Sequence, residues 1–288
     1  MSTGFASSPS ARSYPYAILL VIGLVSVVAP TIFSLASETW SKESGIHGPI
    51  ILATGGWLIW RRWDEIRSQA SSGSPAIAFL SLAIALLLYT FARAFDFLSL
   101  EVLALILAGL AVAYSVLGRR VLQSLWFPIF YLLFLIPIPG WLVDQITAPL
   151  KEFVSYAAES LLSSAGYAII RQGVVLYVDQ YQLLVEDACA GLNSLFSLTA
   201  ISLFYIYLRH NMSWQYAMFL TLWIVPIAIA ANLIRVIALV LITHYAGEDA
   251  AQGFLHNTAG LLMFAAALLG IFALDAFFTV LRGKRDSS

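Results

Sequence analysis

The chain has 288 residues, of which 60% are hydrophobic and 11% are charged, and its formal net charge is −1. Soluble globular domains carry about 25% charged residues, so this composition excludes an ordinary soluble protein and predicts a polytopic membrane protein. The net charge says nothing about partners, but no basic block resembles a nucleic-acid site, so we expect no nucleic-acid partner. The single cysteine excludes an internal disulfide and a multi-cysteine metal site, and we expect neither a metal nor another cofactor.

Apolar stretches long enough to cross a bilayer recur along the chain. After a polar tail, 1–15, that is expected to be disordered, they predict an all-α polytopic membrane protein with about eight transmembrane helices. The predicted spans are 16–36, 49–60, 75–95, 97–117, 121–138, 188–208, 214 to beyond 235, and 256–280. We therefore expect one transmembrane domain, 16–281, followed by a basic tail, 282–288.

The longest predicted non-spanning segment, 140–187, precedes the sixth span. Its first half, 141–165, has apolar residues at helical spacing, which predicts an amphipathic helix that lies on the membrane or packs against the bundle. Its second half predicts a short β-hairpin with strands at 174–178 and 182–185 and a turn at 179–181.

The distribution of Arg and Lys in short loops predicts the orientation. With eight spans, all the basic links fall on one side, which should be cytoplasmic: Arg12, 61–67, Arg119-Arg120, Arg209 and 282–285. Both termini are then cytoplasmic, and segment 140–187 lies outside. The loop between the third and fourth spans also lies outside, and there we expect Arg93 and Asp96 to pair with each other or with water.

Reactive side chains occur at three places on the predicted outer side. Cys189 opens the sixth span, where helix dipoles favour the nucleophilic thiolate form. Asn232 and Arg235 share one face of the seventh span in its outer half, where an arginine is costly unless it is paired or hydrated. The eighth span begins with His256. Thiol, guanidinium and imidazole together supply a nucleophile, a charge stabiliser and an acid/base for acyl transfer.

Each of these three residues also has a purely structural explanation. A lone cysteine such as Cys189 is often a small buried hydrophobe. Arg235 can snorkel to the outer headgroups or pair with Glu186 or Asp187. His256 can be an ordinary residue at a helix start.

Further polar residues are candidates for supporting or substrate-binding roles: Asn193, Asn232, Asn257 and His47. The asparagines can equally form hydrogen bonds between helices. Because His47 and His244 also lie on or near the predicted outer side, the sequence leaves open which histidine acts as the acid/base.

Three blocks of the sequence resemble the signature segments of the exosortase/archaeosortase family. They are 188–195, which reads Ala-Cys-Ala-Gly-Leu-Asn-Ser-Leu, then 232–235, Asn-Leu-Ile-Arg, and 256–260, His-Asn-Thr-Ala-Gly. The resemblance extends to Ile46-His47-Gly48 and to the prolines between 128 and 139, so it covers about residues 40 to 265. The family often has Cys-Ser-Gly where this chain has Cys189-Ala190-Gly191, which removes a hydroxyl group at that position.

The resemblance implies that Cys189, Arg235 and His256 are the active-site residues of a cysteine peptidase or transpeptidase that works through a thioester acyl-enzyme. It implies a location in the bacterial inner membrane with the active site facing the periplasm. The expected partners are the lipid bilayer, an unknown acceptor nucleophile, and exported proteins with a C-terminal sorting signal. That signal consists of a Pro-Glu-Pro-type motif, a transmembrane helix and a basic tail.

An interpretation from a different class is a non-enzymatic membrane component of exopolysaccharide export or assembly. In that case Arg235 and His256 line a polar path, and Cys189 has no chemical role.

Overall fold

A computed structural model describes residues 14–41, 45, 47–184, 194–209, 214–247, 249–250 and 254–285. For residues 14–21, 194, 195, 197, 214, 217, 254–264 and 281–285 within these ranges, only the backbone is described. The chain divides into two compact units, one made of Met1–Ser41 and Arg62–Leu125 and the other of Lys42–Arg61 and Trp126–Ser288.

The described residues are mostly helical. The first unit contains α1 (Tyr14–Ser34), which continues as a π-helical segment (Leu35–Trp40), α3 (Trp63–Gln69), α4 (Pro75–Ala94) and α5 (Leu98–Ser124). The second unit contains α2 (Gly48–Arg61), α6 (Trp126–Leu132) with a following 3-10 turn (Leu133–Leu135), α7 (Gly140–Ser164), β1 (Ile169–Gln172), β2 (Val175–Val178), β3 (Tyr181–Leu184), α8 (Ser194–Arg209), α9 (Trp214–Ala246) and α10 (Phe254–Arg285).

Several of these helices are long and apolar enough to cross a membrane, as a polytopic helical membrane protein requires. Among the described residues there are four: Ile22–Trp40, Pro75–Ala94, Leu98–Ser124 and Met218–Ala246. A fifth is possible if Trp126–Leu135 and Gly140–Ser164, which meet at 94°, form one broken span. Leu198–Arg209 and Ala265–Val280 are apolar but shorter, so the number of eight spans stays a prediction.

The predicted fifth span, 121–138, is not one helix. Its first residues complete α5, which kinks at Gly118 with a φ of 76°, and α6 then has only seven residues. A Cβ atom at Gly118 would lie 2.3 Å from the carbonyl oxygen of Ser71, so the close approach of the two backbones requires glycine there. Pro137 and Pro139 then prevent the helix from continuing into α7.

A buried carboxyl group connects three helices of the first unit. Glu101, in the first turn of α5, is 2% exposed and accepts a 2.6 Å hydrogen bond from Thr31 of α1. Arg93, in the last turn of α4, forms a 3.0 Å ion pair with the same carboxylate. The expectation that Arg93 pairs with Asp96 or with water was wrong. Asp96 lies exposed in the loop before α5, and Arg93 instead pairs with Glu101, five residues further along the chain.

In the second unit, α8, α9 and α10, which are consecutive along the chain, pack against one another. Their core contains buried residues from all three helices: Leu198, Ile206, Tyr216, Leu220, Ile224, Ala228, Ala267 and Ile271. A smaller cluster joins α8 to α2 and α6, with Phe127 stacked on Tyr207 at 3.8 Å between ring centroids.

The predicted amphipathic helix corresponds to α7, which packs against α9 and the sheet. Val154, Ala158 and Leu162 lie at helical spacing on its buried face. Of the two placements that the sequence allowed, the structure therefore supports packing against protein.

The predicted hairpin is part of a three-stranded antiparallel sheet in the order β1-β2-β3. Its turn has two residues rather than three, because Asp179 adopts a φ of 53° and Tyr181 already pairs with Val178. The side of the membrane on which the sheet lies stays a prediction.

Candidate functional site

A buried stripe on α9 carries the two polar residues that the sequence singled out in the seventh span. Ala228, Asn232, Arg235 and Leu239 follow one another at intervals of three or four residues, so their side chains share a helix face. They are 8%, 5%, 3% and 1% exposed, respectively. Burial inside the protein argues against the explanation that Arg235 snorkels to headgroups, and both polar side chains have interaction partners.

This stripe passes between two layers of the second unit. Ala228 belongs to the core of α8, α9 and α10, whereas Leu239 belongs to the cluster formed with α7 and the sheet. A guanidinium group at such a junction is desolvated, and its charge acts over a longer range than it would in water. The position suits a group that stabilises negative charge during a reaction.

A second polar cluster joins α8, α9 and α10 by hydrogen bonds near the other end of these helices. Asp275 of α10 is 2% exposed and accepts hydrogen bonds from Tyr205 of α8 at 2.7 Å and from Tyr216 of α9 at 2.9 Å. Asp275 was not among the functional residues predicted from the sequence. A lone acid in the apolar run of α10 was the signal that pointed to it.

Contacts along the two long helices show that α9 and α10 are antiparallel. Near one end, the rings of Phe219 and Phe278 lie 5.0 Å apart. Further along, a Cβ atom on Gly270 would lie 3.4 Å from the side chain of Ile227. As the residue number rises on α9, it falls on α10.

The register of these helices brings Arg235 beside the first third of α10. Arg235 lies 19 residues after Tyr216, and His256 lies 19 residues before Asp275, the bonded partner of Tyr216. Counting from the contact of Ile227 with Gly270, or of Phe219 with Phe278, gives residue 262 instead. At about 1.5 Å per residue, the two estimates differ by about 9 Å along the axis. Arg235 therefore lies beside the first three turns of α10, and the backbone of His256 is within about 9 Å of its height.

The remaining predicted site residues can be placed only in part. Cys189 and Asn193 lie outside the described residues, and Ser194 is the first residue of α8. His256 and Asn257 are the third and fourth residues of α10, of which only the backbone is described. Their convergence with Arg235 stays a prediction.

Since only four residues separate α8 from α9 and the two helices pack, α8 is antiparallel to α9 and therefore parallel to α10, so α8 and α10 start at the same end of the bundle. The ring of Tyr205 in α8 contacts Phe272 of α10 at 4.3 Å between centroids and bonds Asp275. Ser194 lies 11 residues before Tyr205. The positions 11 residues before Phe272 and Asp275, the two contacts of Tyr205 on α10, are 261 and 264. Cys189 precedes Ser194 by five residues.

His244 takes part in a different cluster. It lies nine residues after Arg235 on α9, and at about 100° per residue it projects from the opposite face of the helix. Its Nδ1 atom is 2.5 Å from Oδ2 of Asp179 in the β2–β3 turn. The ring also meets Tyr167 edge-on, at 5.4 Å between centroids. His244 therefore fastens α9 to the sheet and does not face the Arg235 stripe.

His47 lies immediately before α2 and is partly buried. Its burial lowers the pKa of the imidazole below the ordinary value of 6.5, which favours the neutral form at neutral pH. A neutral imidazole can accept or donate a hydrogen bond, as a supporting role requires. Among the described side chains, no three His, Cys, Asp or Glu residues cluster as a metal site would require.

Comparison with known protein families gives one match over most of the chain. The sequence model of a family described as transmembrane exosortase matches residues 39–273. The matched range includes His47, Cys189, Arg235 and His256. Neither a curated protein nor a solved structure matches the chain.

Proposed function

The chain belongs to the transmembrane exosortase family, and on this premise we propose that it is a membrane cysteine peptidase or transpeptidase with Cys189 as its nucleophile. The observation that carries the proposal is the register of α9 and α10. It brings the buried Arg235 beside the first three turns of α10, the helix that carries His256, and α8, which follows Cys189, starts at the same end.

In the proposed reaction, the thiolate of Cys189 attacks the carbonyl carbon of the scissile peptide bond and forms a tetrahedral intermediate. The carbon–nitrogen bond then breaks, His256 protonates the leaving amine, and a thioester remains. His256 next takes a proton from the acceptor, which is water or another nucleophile. The acceptor attacks the thioester, and the thiolate of Cys189 leaves.

Arg235 stabilises negative charge in this scheme. Its guanidinium group is buried, so its interaction with a thiolate or an oxyanion is screened less than it would be at a surface. His256 is the proposed acid/base rather than His244, since His244 is bonded to Asp179 on the other side of α9. We assign His47, Asn193, Asn232 and Asn257 to supporting or substrate-binding roles.

The proposed substrates are exported proteins that end in a Pro-Glu-Pro-type motif, an apolar helix and a basic tail. The proposed location is the bacterial inner membrane, with both termini cytoplasmic and the active site facing the periplasm. A substrate held by its own helix presents its scissile bond at a fixed depth, which suits an enzyme whose reactive groups lie at one end of a helix bundle.

The test follows processing of a tagged exported reporter with such a C-terminal signal on gels. We expect Cys189→Ala and Cys189→Ser to abolish processing. Arg235→Ala should slow it by about 100-fold or more, the usual effect of losing a group that stabilises an oxyanion. Arg235→Lys, which keeps the charge but loses the planar fork, should be intermediate, and Arg120→Lys at an exposed position is the matched control. Full processing by the Cys189→Ala variant would refute the proposal.

Labelling of Cys189 from outside the cell separates this function from the non-enzymatic alternative. A membrane-impermeant maleimide should react with an activated thiol even below the ordinary thiol pKa of about 8.5. An inert thiol over the same pH range would favour the component of polysaccharide export.

A further inference from the structure

The backbone of β1 shows which way the peptide groups of the whole sheet point. The N–H group of Arg171 donates to Oε1 of Glu159 on α7 at 3.3 Å, so it points away from β2. In antiparallel strands, the N–H and C=O groups of one residue point to the same side, and this side alternates along the strand. Leu176, which lies opposite Arg171, therefore directs its peptide groups toward β3, where it pairs with Leu183.

The same alternation determines the outer edge of β3. Since Leu183 faces β2, the peptide groups of Gln182 and Leu184 point outward, away from the sheet. Both residues are exposed. In the described part of the chain, these outward N–H and C=O groups have no hydrogen-bond partner.

The two edges of the sheet thus differ. At β1, Glu159 occupies the outward N–H group of Arg171 and also pairs with its side chain at 3.1 Å. At β3, neither proline nor a charged side chain protects the edge, although proteins commonly use both to prevent strand addition. Of the outward residues of β1, Arg171 is occupied by Glu159 and Ile169 is buried, whereas both outward residues of β3 are exposed, so the edge of β3 is the one accessible to an extended chain.

From this geometry we infer that the edge of β3 binds an extended segment of the polypeptide substrate through the peptide groups of Gln182 and Leu184. The inference rests on the proposed function, which supplies a polypeptide as the substrate. Two residues with outward N–H and C=O groups offer two donors and two acceptors, and only another extended chain repeats this pattern at the same period.

The position of β3 connects this edge to the proposed nucleophile. The strand begins beside the end of α9, where the Tyr181 hydroxyl would lie 3.6 Å from a Cβ atom on Gly247. It ends at Leu184, five residues before Cys189, a stretch of chain that spans at most about 17 Å. A segment bound along β3 therefore ends within that distance of Cys189.

The core face of the sheet does not take part in this binding. Leu176, Val178 and Leu183 are packed against α7 and α9 in one buried cluster. Recognition at β3 therefore depends on the backbone, with selectivity from the side chains that lie on the outer face. This predicts a period of two: alternate residues of the bound segment face the edge, and those between them do not.

Disulfide trapping tests the inference directly, because Cys189 is the only cysteine in the chain. In a Cys189→Ala background, Gln182→Cys is combined with the tagged reporter, which carries one cysteine at each position of its sorting signal in turn. The matched control is Ile170→Cys. Ile170 pairs with Tyr177, which pairs with Gln182, so both end residues lie in one cross-strand row, and both are exposed. Ile170 is on β1, two interstrand spacings or about 10 Å from β3.

We expect Gln182→Cys to trap the reporter at alternate positions, with yields at least tenfold above those of Ile170→Cys. Equal yields from the two variants would overturn the inference, and so would a Gln182→Cys variant that traps nothing although its thiol still reacts with maleimide. Trapping requires no cleavage, so this result is independent of the processing assay. Processing by the wild-type chain without trapping would leave the proposed function intact and remove the β3 site alone.

Backbone substitution gives a second test with Cys189 in place. Gln182→Pro removes the outward N–H group, whereas Gln182→Ala retains it, and proline is tolerated at a strand edge whose N–H is not needed by the sheet. We expect processing to fall at least tenfold more in Gln182→Pro than in Gln182→Ala. Equal processing by two variants that reach the membrane in equal amounts would contradict a role for this N–H group.

Discussion

Replacement of Arg93 by methionine should destabilise the first unit by leaving Glu101 buried without its ion pair. The carboxylate is 2% exposed and receives bonds of 3.0 and 3.3 Å from Arg93 and 2.6 Å from Thr31. Breaking a fully buried pair costs about 3–5 kcal/mol, and a hydrogen bond to a charged group contributes about 1.5–3 kcal/mol. Because Arg93 is 43% exposed and Thr31 remains, we expect a loss of about 2–3 kcal/mol.

The double variant Arg93→Met/Glu101→Leu removes both charges and should lie within about 1 kcal/mol of the wild type, since apolar replacement of a buried pair is often neutral. The free energies of unfolding are measured in detergent micelles by titration with SDS, followed by circular dichroism. Arg120→Met, at an exposed position on α5, is the control. A double variant that is as unstable as Arg93→Met, or a single variant that matches the control, would refute this reasoning.

Three further substitutions test other parts of the structure. Burial lowers the pKa of His47, so below about pH 6.5 the unfolded chain binds more protons than the folded chain, and stability falls as the pH falls. His47→Gln should abolish this pH dependence of stability, which a pH series of SDS titrations measures. Tyr216→Phe should cost about 1 kcal/mol through loss of its bond to Asp275, whereas no change in the SDS midpoint would contradict the importance of that bond. Gly118→Ala should reduce the thermal stability more than Gly173→Ala does. Both glycines have a positive φ, but a Cβ atom at Gly118 would lie 2.3 Å from the carbonyl oxygen of Ser71, whereas one at Gly173 would meet no atom within 4 Å.

Patterns that repeat along the chain were informative about the structure. The interval of three residues between Asn232 and Arg235 predicted a shared face on one helix, and both are buried together on α9. The apolar spacing in 141–165 predicted a helix, and α7 covers Gly140–Ser164. Such patterns depend on local geometry, which the sequence alone determines.

Contacts between distant segments were not predictable in the same way. The predicted partner of Arg93 was wrong, because the prediction favoured Asp96, which is closer in sequence, whereas the fold brings Glu101 to the end of α4. The bonds of Asp275 to Tyr205 and Tyr216 depend on the register of three helices, which no single segment specifies. The length of the β2–β3 turn depended on one residue, Asp179, that adopts a left-handed conformation.

The asymmetry of the small sheet limits how copies of this protein can associate. Because Glu159 of α7 occupies the outward N–H group of Arg171 and Ile169 is buried, head-to-tail addition of one sheet to another, which would need the β1 edge, is disfavoured. Pairing of two sheets is left with β3 against β3, an arrangement that closes at a dimer. Such a dimer would occupy the same peptide groups as a bound chain, so self-association at this edge and substrate capture would exclude each other.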